Sequence, residues 1–97
     1  MSWYYKAANQ EHLEAQFKVG EYSEYGRGTD KNMLQAFRYY RRAAEQGHAE
    51  AQYKIGSFYE NGLGTKKDLK KAEEWYLKAS AQGNAEAKKR LKDLGVN

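Results

Sequence analysis

Cysteine and proline are both absent from this 97-residue chain. Without cysteine there is no disulfide framework, no zinc ribbon and no thiol nucleophile. Without proline, nothing forbids long uninterrupted helices. Long apolar runs are missing too. No stretch approaches the ~18 apolar residues of a membrane-spanning helix, and Met1 to Lys6 lacks the apolar centre of a secretory leader. These absences predict a soluble, cytoplasmic protein. The charge excess is small, 17 Lys and Arg against 13 Asp and Glu. It permits nucleic acid or an acidic partner without demanding either.

What is present is order. Aromatics make up 14% of the chain, and their regular placement argues against disorder. The length suits one compact domain. Tyr4, Tyr40 and Tyr76 lie 36 residues apart, as do Ala7, Ala43 and Ala79, and Ala15, Ala51 and Ala87. Trp3, Tyr39 and Trp75 keep an aromatic at the same step. The first two copies also share His12/His48, Glu14/Glu50, Gln16/Gln52, Lys18/Lys54, Gly20/Gly56, Gly26/Gly62, Gly28/Gly64, Thr29/Thr65 and Ala36/Ala72. A self-similar period of this length signals stacked structural units. It divides the chain into units of about 1–11 (partial), 12–47, 48–83 and 84–97 (partial, capping) within a single domain at 1–97.

Inside each copy the apolar spacing is helical. Ala51, Ile55, Phe58 and Tyr59 fall on one stripe. Leu69, Ala72, Trp75, Tyr76 and Ala79 form another. Asn32, Asp68 and Asn84 are suited to N-caps, with Gln35 at the capping-box position after Asn32. Gly47 and Gly83 stand where a left-handed residue ends a helix. The pattern predicts six helices, at about 2–10, 12–25, 32–46, 48–61, 68–82 and 84–94. The expected core contains Ala15, Val19, Tyr22, Ala36, Ala51, Ile55, Phe58, Ala72 and Ala79. Gly20 and Gly56 interrupt helices at a cost of ~1 kcal/mol against alanine, which close approach of the paired helix would offset. The polar run Lys88-Lys89-Arg90-Leu91-Lys92 suits a terminal cap facing water.

Signals of chemistry are weak. Gly26-Arg27-Gly28-Thr29 and Gly62-Leu63-Gly64-Thr65 lack the third glycine, the Lys-Ser/Thr ending and the preceding strand of a phosphate loop. They read as turns between helices. His12 and His48 occupy equivalent positions, which stacking separates by roughly 10 Å, too far to share a metal. No Ser or Thr has a base at a suggestive spacing. The expectation is a non-enzyme with no catalytic residues, no metal and no cofactor.

The stretch Ala51-Gln52-Tyr53-Lys54-Ile55-Gly56-Ser57-Phe58-Tyr59-Glu60-Asn61-Gly62-Leu63-Gly64 resembles the Sel-one-like repeat family, relatives of the tetratricopeptide repeats. The resemblance continues through Asp68, Lys71-Ala72, Trp75-Tyr76, Lys78-Ala79 and Gln82-Gly83-Asn84-Ala85-Glu86-Ala87 and covers essentially the whole chain. It implies an all-α fold, an α/α superhelical solenoid of antiparallel helix pairs, serving as an adaptor that holds other proteins or peptides on a concave surface. Some members of the family are cysteine-rich and associated with penicillin binding. This chain has neither Cys nor a Ser-x-x-Lys tetrad, so that activity is not carried over. It also departs at Glu11-His12-Leu13, where the other copies read Gly47-His48-Ala49 and Gly83-Asn84-Ala85. A tighter or differently shaped turn is expected there.

By analogy with tetratricopeptide stacks, the first helix of each pair lines the concave wall. That places Glu14, Phe17, Glu21 and Glu24 of one copy beside Glu50, Tyr53, Ser57 and Glu60 of the next as candidate peptide-binding residues. The helix 12–25 carries a net −2 and 48–61 a net −1, whereas 32–46 carries +2. The expected ligand is therefore a protein or peptide, basic around an apolar anchor. Two alternatives stand beside this one. The first is a nucleic acid (RNA) held by Arg38, Tyr39, Tyr40, Arg41 and Arg42 with Lys66, Lys67, Lys70 and Lys71. The second is a repeat block, engineered or excised, with no partner of its own. The N-terminal face at Trp3, Tyr4 and Tyr5 is expected to serve self-association or contact with further repeats.

Overall fold

A computed structural model describes the backbone of residues 2–26 and 32–95, and the side chains of 13–26 and 32–95. Among the described residues the regular structure is entirely helical: α1 (Ser2–Tyr25), α2 (Met33–Glu45), α3 (Ala49–Asn61), α4 (Leu69–Ala81) and α5 (Ala85–Asp93). The all-α reading holds. Each helix packs chiefly on its neighbours in sequence, the one-dimensional stacking of a repeat array.

The caps form as the sequence indicates. Asn32 accepts from the Gln35 amide at 2.9 Å, Asp68 from Lys71 at 3.0 Å and Asn84 from Ala87 at 2.8 Å. His48 takes the same role through its ring, Nδ1 accepting from the Ala51 amide at 3.1 Å. Helices α2 and α4 both end in paired reverse bonds. The Gly47 and His48 amides donate to Ala44 and Ala43, and those of Gly83 and Asn84 to Ser80 and Ala79. The two glycines adopt φ of 96° and 92°, as this helix stop requires.

That stop is missing at Glu11, and the expectation of a turn there is overturned. Helix α1 runs unbroken through residues 2–25, replacing the two expected helices with one. A side chain at the left-handed position is penalised by contact between Cβ and carbonyl oxygen, so glutamate continues the helix where glycine would end it.

The consequence reaches the core. Ala36, Ala51, Ile55, Phe58, Ala72 and Ala79 are buried as expected, with Tyr40 and Tyr76 the largest fully buried side chains. Ala15 and Tyr22 are exposed instead, and Val19 is only half-buried. Their repeat equivalents Ala51, Phe58 and Ile55 lie between α2 and α4. The α1 helix packs chiefly on α2, and among the described residues the same positions on it face outward.

The interior glycines do allow close approach. A Cβ on Gly56 would lie 2.6 Å from the Tyr76 ring, and one on Gly20 would lie 2.7 Å from Tyr40. Each tyrosine ring packs against the glycine of the paired helix, and that of Tyr40 also reaches the next unit. Tyr40 meets Phe58 edge-on at 5.5 Å between centroids.

Candidate peptide-binding site

The first helices of the pairs are the second half of α1, then α3 and α5. The candidate residues on them divide into two groups. Glu50 is exposed, while Glu21, Tyr53 and Ser57 are half-buried and open to solvent on one side. Glu14 is also exposed, its Oε1 3.3 Å from His48 Nε2. His48 Nδ1 serves the cap, so Nε2 is the ring nitrogen on the Glu14 side.

Phe17, Glu24 and Glu60 belong to the interior instead. Phe17 is only 6% exposed, stacked on the His48 ring at 4.6 Å and tilted against Tyr40 at 5.3 Å. The aromatic step expected from Phe17 and Tyr53 is therefore reduced to Tyr53. Glu24 accepts hydrogen bonds from the Tyr40 hydroxyl at 2.7 Å and from Lys54 Nζ at 3.2 Å. Glu60 accepts from the Tyr76 hydroxyl at 2.7 Å and is clasped by two nitrogens of Arg90. In each case an acid of one unit receives a tyrosine of its own unit and a base of the next.

These polar joints shape the titration of the wall. Burial pushes the Glu60 carboxyl up, but bonds from Arg90 and Tyr76 outweigh it and leave its pKa lowered. Burial and then the bond to Glu60 raise the Tyr76 phenol, and Tyr40 is raised by burial and by Glu24. Lys54 would lose basicity on burial, yet its bonds to Tyr25 and Glu24 hold its pKa above the usual value. Tyr53 is raised by burial and then by the Glu86 carboxylate, which places an α5 acid beside the aromatic candidate. Its ring leans on Tyr76 at 5.8 Å.

A second recurrent link closes each helix pair: Gln46 Nε2 donates to Gln16 Oε1 at 3.1 Å and Gln82 Nε2 to Gln52 Oε1 at 2.9 Å, with Gln82 also reaching the Gly47 carbonyl of the preceding unit at 2.9 Å. Neither the glutamine link nor the tyrosine–acid–base joint stands out in a single copy. Their signal was the register itself: Glu24/Glu60, Tyr40/Tyr76 and Lys54/Arg90 all keep the step of 36.

On the basic side, Arg38, Arg41, Arg42, Lys66, Lys67, Lys70 and Lys71 are exposed and Tyr39 is half-buried. Tyr40 is fully buried and unavailable for base stacking. The side chains of His12, Trp3, Tyr4 and Tyr5 lie outside the described residues. No described group of three or more His, Cys, Asp or Glu converges as metal ligands would, and no described helix is long and apolar enough to cross a membrane.

Antiparallel helix pairs, joined to the next pair by repeated polar bonds and lined by interior glycines, define a helical-repeat solenoid of the tetratricopeptide type. The Sel1 repeat profile matches residues 1–12, 13–48 and 49–84, and the chain belongs to the Sel1 repeat family. It is similar to a Sel1 repeat protein from Oxalobacter formigenes, with 48% identity and a TM-score of 0.81 over 84% of this chain and 61% of that one. It is also similar to a protective antigen of uropathogenic Escherichia coli that displays an SLR fold. There the identity is 36% and the TM-score 0.82, over 90% of this chain and 19% of that one. The cysteine rich protein B of Helicobacter pylori shares the fold at 24% identity and a TM-score of 0.75, over 84% of this chain and 62% of that one. The chain thus spans less than two thirds of the length of these relatives. Comparison with curated proteins gave no match. Proteins of this family generally act as protein–protein interaction scaffolds.

Proposed function

We propose that this protein is a non-catalytic adaptor whose first-helix wall holds a basic segment of a partner protein around one apolar anchor. The observation that carries this reading is the setting of Tyr53. Its ring is supported from behind by Tyr76, half open to solvent in front, and bordered by Glu50, Ser57 and Glu86. A supported aromatic beside acids suits an apolar side chain flanked by Lys or Arg. Glu21 extends the acidic border, and Glu14 is shared with His48. Phe17, Glu24 and Glu60 act behind the wall by fixing its helices.

A peptide-library selection against the wild type, Tyr53→Ala and a Glu21→Lys/Glu50→Lys pair tests this. Tyr53→Ala should weaken selected peptides most, since buried aromatics carry more binding energy than rim charges worth ~0–1 kcal/mol each. The charge reversals should act mainly on association rate and salt sensitivity. Selection of acidic peptides, or equal binding by all three proteins, would remove the wall from consideration.

A second reading concerns self-association. Tyr22 is 50% exposed where its equivalent Phe58 is 1% exposed, and no described side chain plays for Tyr22 the part that Tyr40 plays for Phe58. The residue one step before Tyr40 is Tyr4, which a straight α1 carries away from its own Tyr22. A second copy of the chain supplies the same segment, so exchange of N-terminal segments between two copies would complete both stacks.

A further inference from the structure

Two concave features of the described surface lie on α2, on a helix set other than the one bearing Tyr53. They are open grooves of about 310 and 300 Å³ on either side of one ridge. Leu34, Arg38 and Arg42 form that ridge and line both grooves. They stand four residues apart, on one face of the helix. Leu34 is 52% exposed, and Phe37 forms the apolar floor of one groove. That groove closes against Gly64, whose φ of 66° and contact with the Met33 carbonyl leave no room for a side chain.

The charges on the ridge are partly uncommitted. Arg41 is held by Glu45 at 3.2 Å. Arg42 lies over the Tyr39 ring at 5.5 Å, and neither Arg38 nor Arg42 has a carboxylate partner among the described residues. From these observations we infer that the α2 ridge is a second docking surface, for a short acidic segment of a partner protein. One apolar side chain of that segment would rest on Leu34 and Phe37 while its carboxylates pair with Arg38 and Arg42. The ridge spans about 12 Å from Leu34 to Arg42 at 1.5 Å per helical residue, the reach of about four extended residues.

A nucleic acid fits less well. At the positions on α4 equivalent to Arg38 and Arg42 stand Glu74 and Lys78, so one of the two ridge charges is reversed in the next unit and an even strip for a long backbone is broken. The one aromatic on the ridge, Tyr39, has a face covered by Arg42. The ridge therefore lacks a row of open aromatic faces for successive bases.

The test is fluorescence anisotropy with four probes: a short peptide with glutamates flanking a single leucine, its lysine counterpart, a glutamate peptide with alanine for leucine, and a single-stranded oligouridylate. The acidic leucine peptide should bind best, and added salt should weaken it. Arg38→Ala with Arg42→Ala should weaken it about tenfold, two partly exposed ion pairs at ~0.7 kcal/mol each. Leu34→Ser should also weaken it, whereas Tyr53→Ala should leave it unchanged, which separates this surface from the wall on α3. The substituted positions on the ridge are exposed, so unchanged helical circular dichroism is expected to accompany the loss. Equal binding of the acidic and lysine peptides overturns the inference, as does indifference to the arginine pair. Tighter arginine-dependent binding of oligouridylate would reassign the ridge to nucleic acid and overturn it equally.

Discussion

The hydroxyl of Tyr76 donates to the carboxylate of Glu60 at 2.7 Å, and thirty-six residues earlier Tyr40 makes the same bond to Glu24 at the same distance. The tyrosine belongs to the second helix of its unit and the acid to the first. The acid also receives a base from the following unit, Arg90 or Lys54. One polar joint thus closes a helix pair and fastens it to the next. No described buried side-chain polar atom is left without a partner, so the joint carries no uncompensated desolvation.

Stability should fall in acid through this joint. The folded pKa of Glu60 is below its ordinary value near 4.5. The folded state therefore binds fewer protons than the unfolded chain in the window beneath that value. Its contribution is fully present above the unfolded pKa and is lost as pH falls through the folded one. Urea midpoints measured from pH 6 down to pH 2 should decline below about 4.5, and Glu60→Gln should flatten that decline. Tyr76→Phe should cost about 1–2 kcal/mol at neutral pH, the range of a hydrogen bond to a charged group in a partly exposed site. An unchanged acid limb in Glu60→Gln would show that the joint does not govern acid unfolding.

Gly56→Ala should destabilise the fold although alanine favours helices by ~1 kcal/mol. The added methyl would lie 2.6 Å from the Tyr76 ring. Overpacking of this kind costs about 1–3 kcal/mol and should win. Thermal melts of Gly56→Ala and of the double variant Gly56→Ala/Tyr76→Leu check the cause, since removing the ring should restore the benefit of alanine.

Equivalent positions should not respond equally. Ile55 is fully buried, so Ile55→Ala should cost about 2–5 kcal/mol. Val19 holds the same place in the preceding copy but is half-buried. Val19→Ala should cost well under that. Chemical denaturation of both variants measures the difference, and equal losses would mean that Val19 is covered in solution.

Glu11→Gly should restore the missing helix stop. With glycine at the left-handed position, the segment before it is free to fold back on its own α1. The wild-type chain should then sediment as a concentration-dependent dimer and Glu11→Gly as a monomer. A wild type that stays monomeric at every concentration would remove the segment-exchange reading.

Much of this was legible in the sequence because a repeat states its own rules several times. The step of 36 residues, the caps at Asn32, Asp68 and Asn84, and the stops at Gly47 and Gly83 depend on backbone chemistry within a few residues, which a sequence displays directly. The need for a close neighbour at Gly20 and Gly56 was legible for the same reason. Tertiary structure alone decided which equivalent residues are truly equivalent. Ala15 and Tyr22 match Ala51 and Phe58 letter for letter or in kind, yet burial depends on what packs on each side, and among the described residues these α1 positions are exposed. The same holds for the wall. Phe17, Glu24 and Glu60 share a helical face with Tyr53 in sequence, but the neighbours they meet differ: His48 stacks on Phe17 where the step from Tyr53 leads to Asn84, and Tyr40 and Arg90 engage the two acids. Their partners lie sixteen or more residues away, where periodicity gives a register but not a contact.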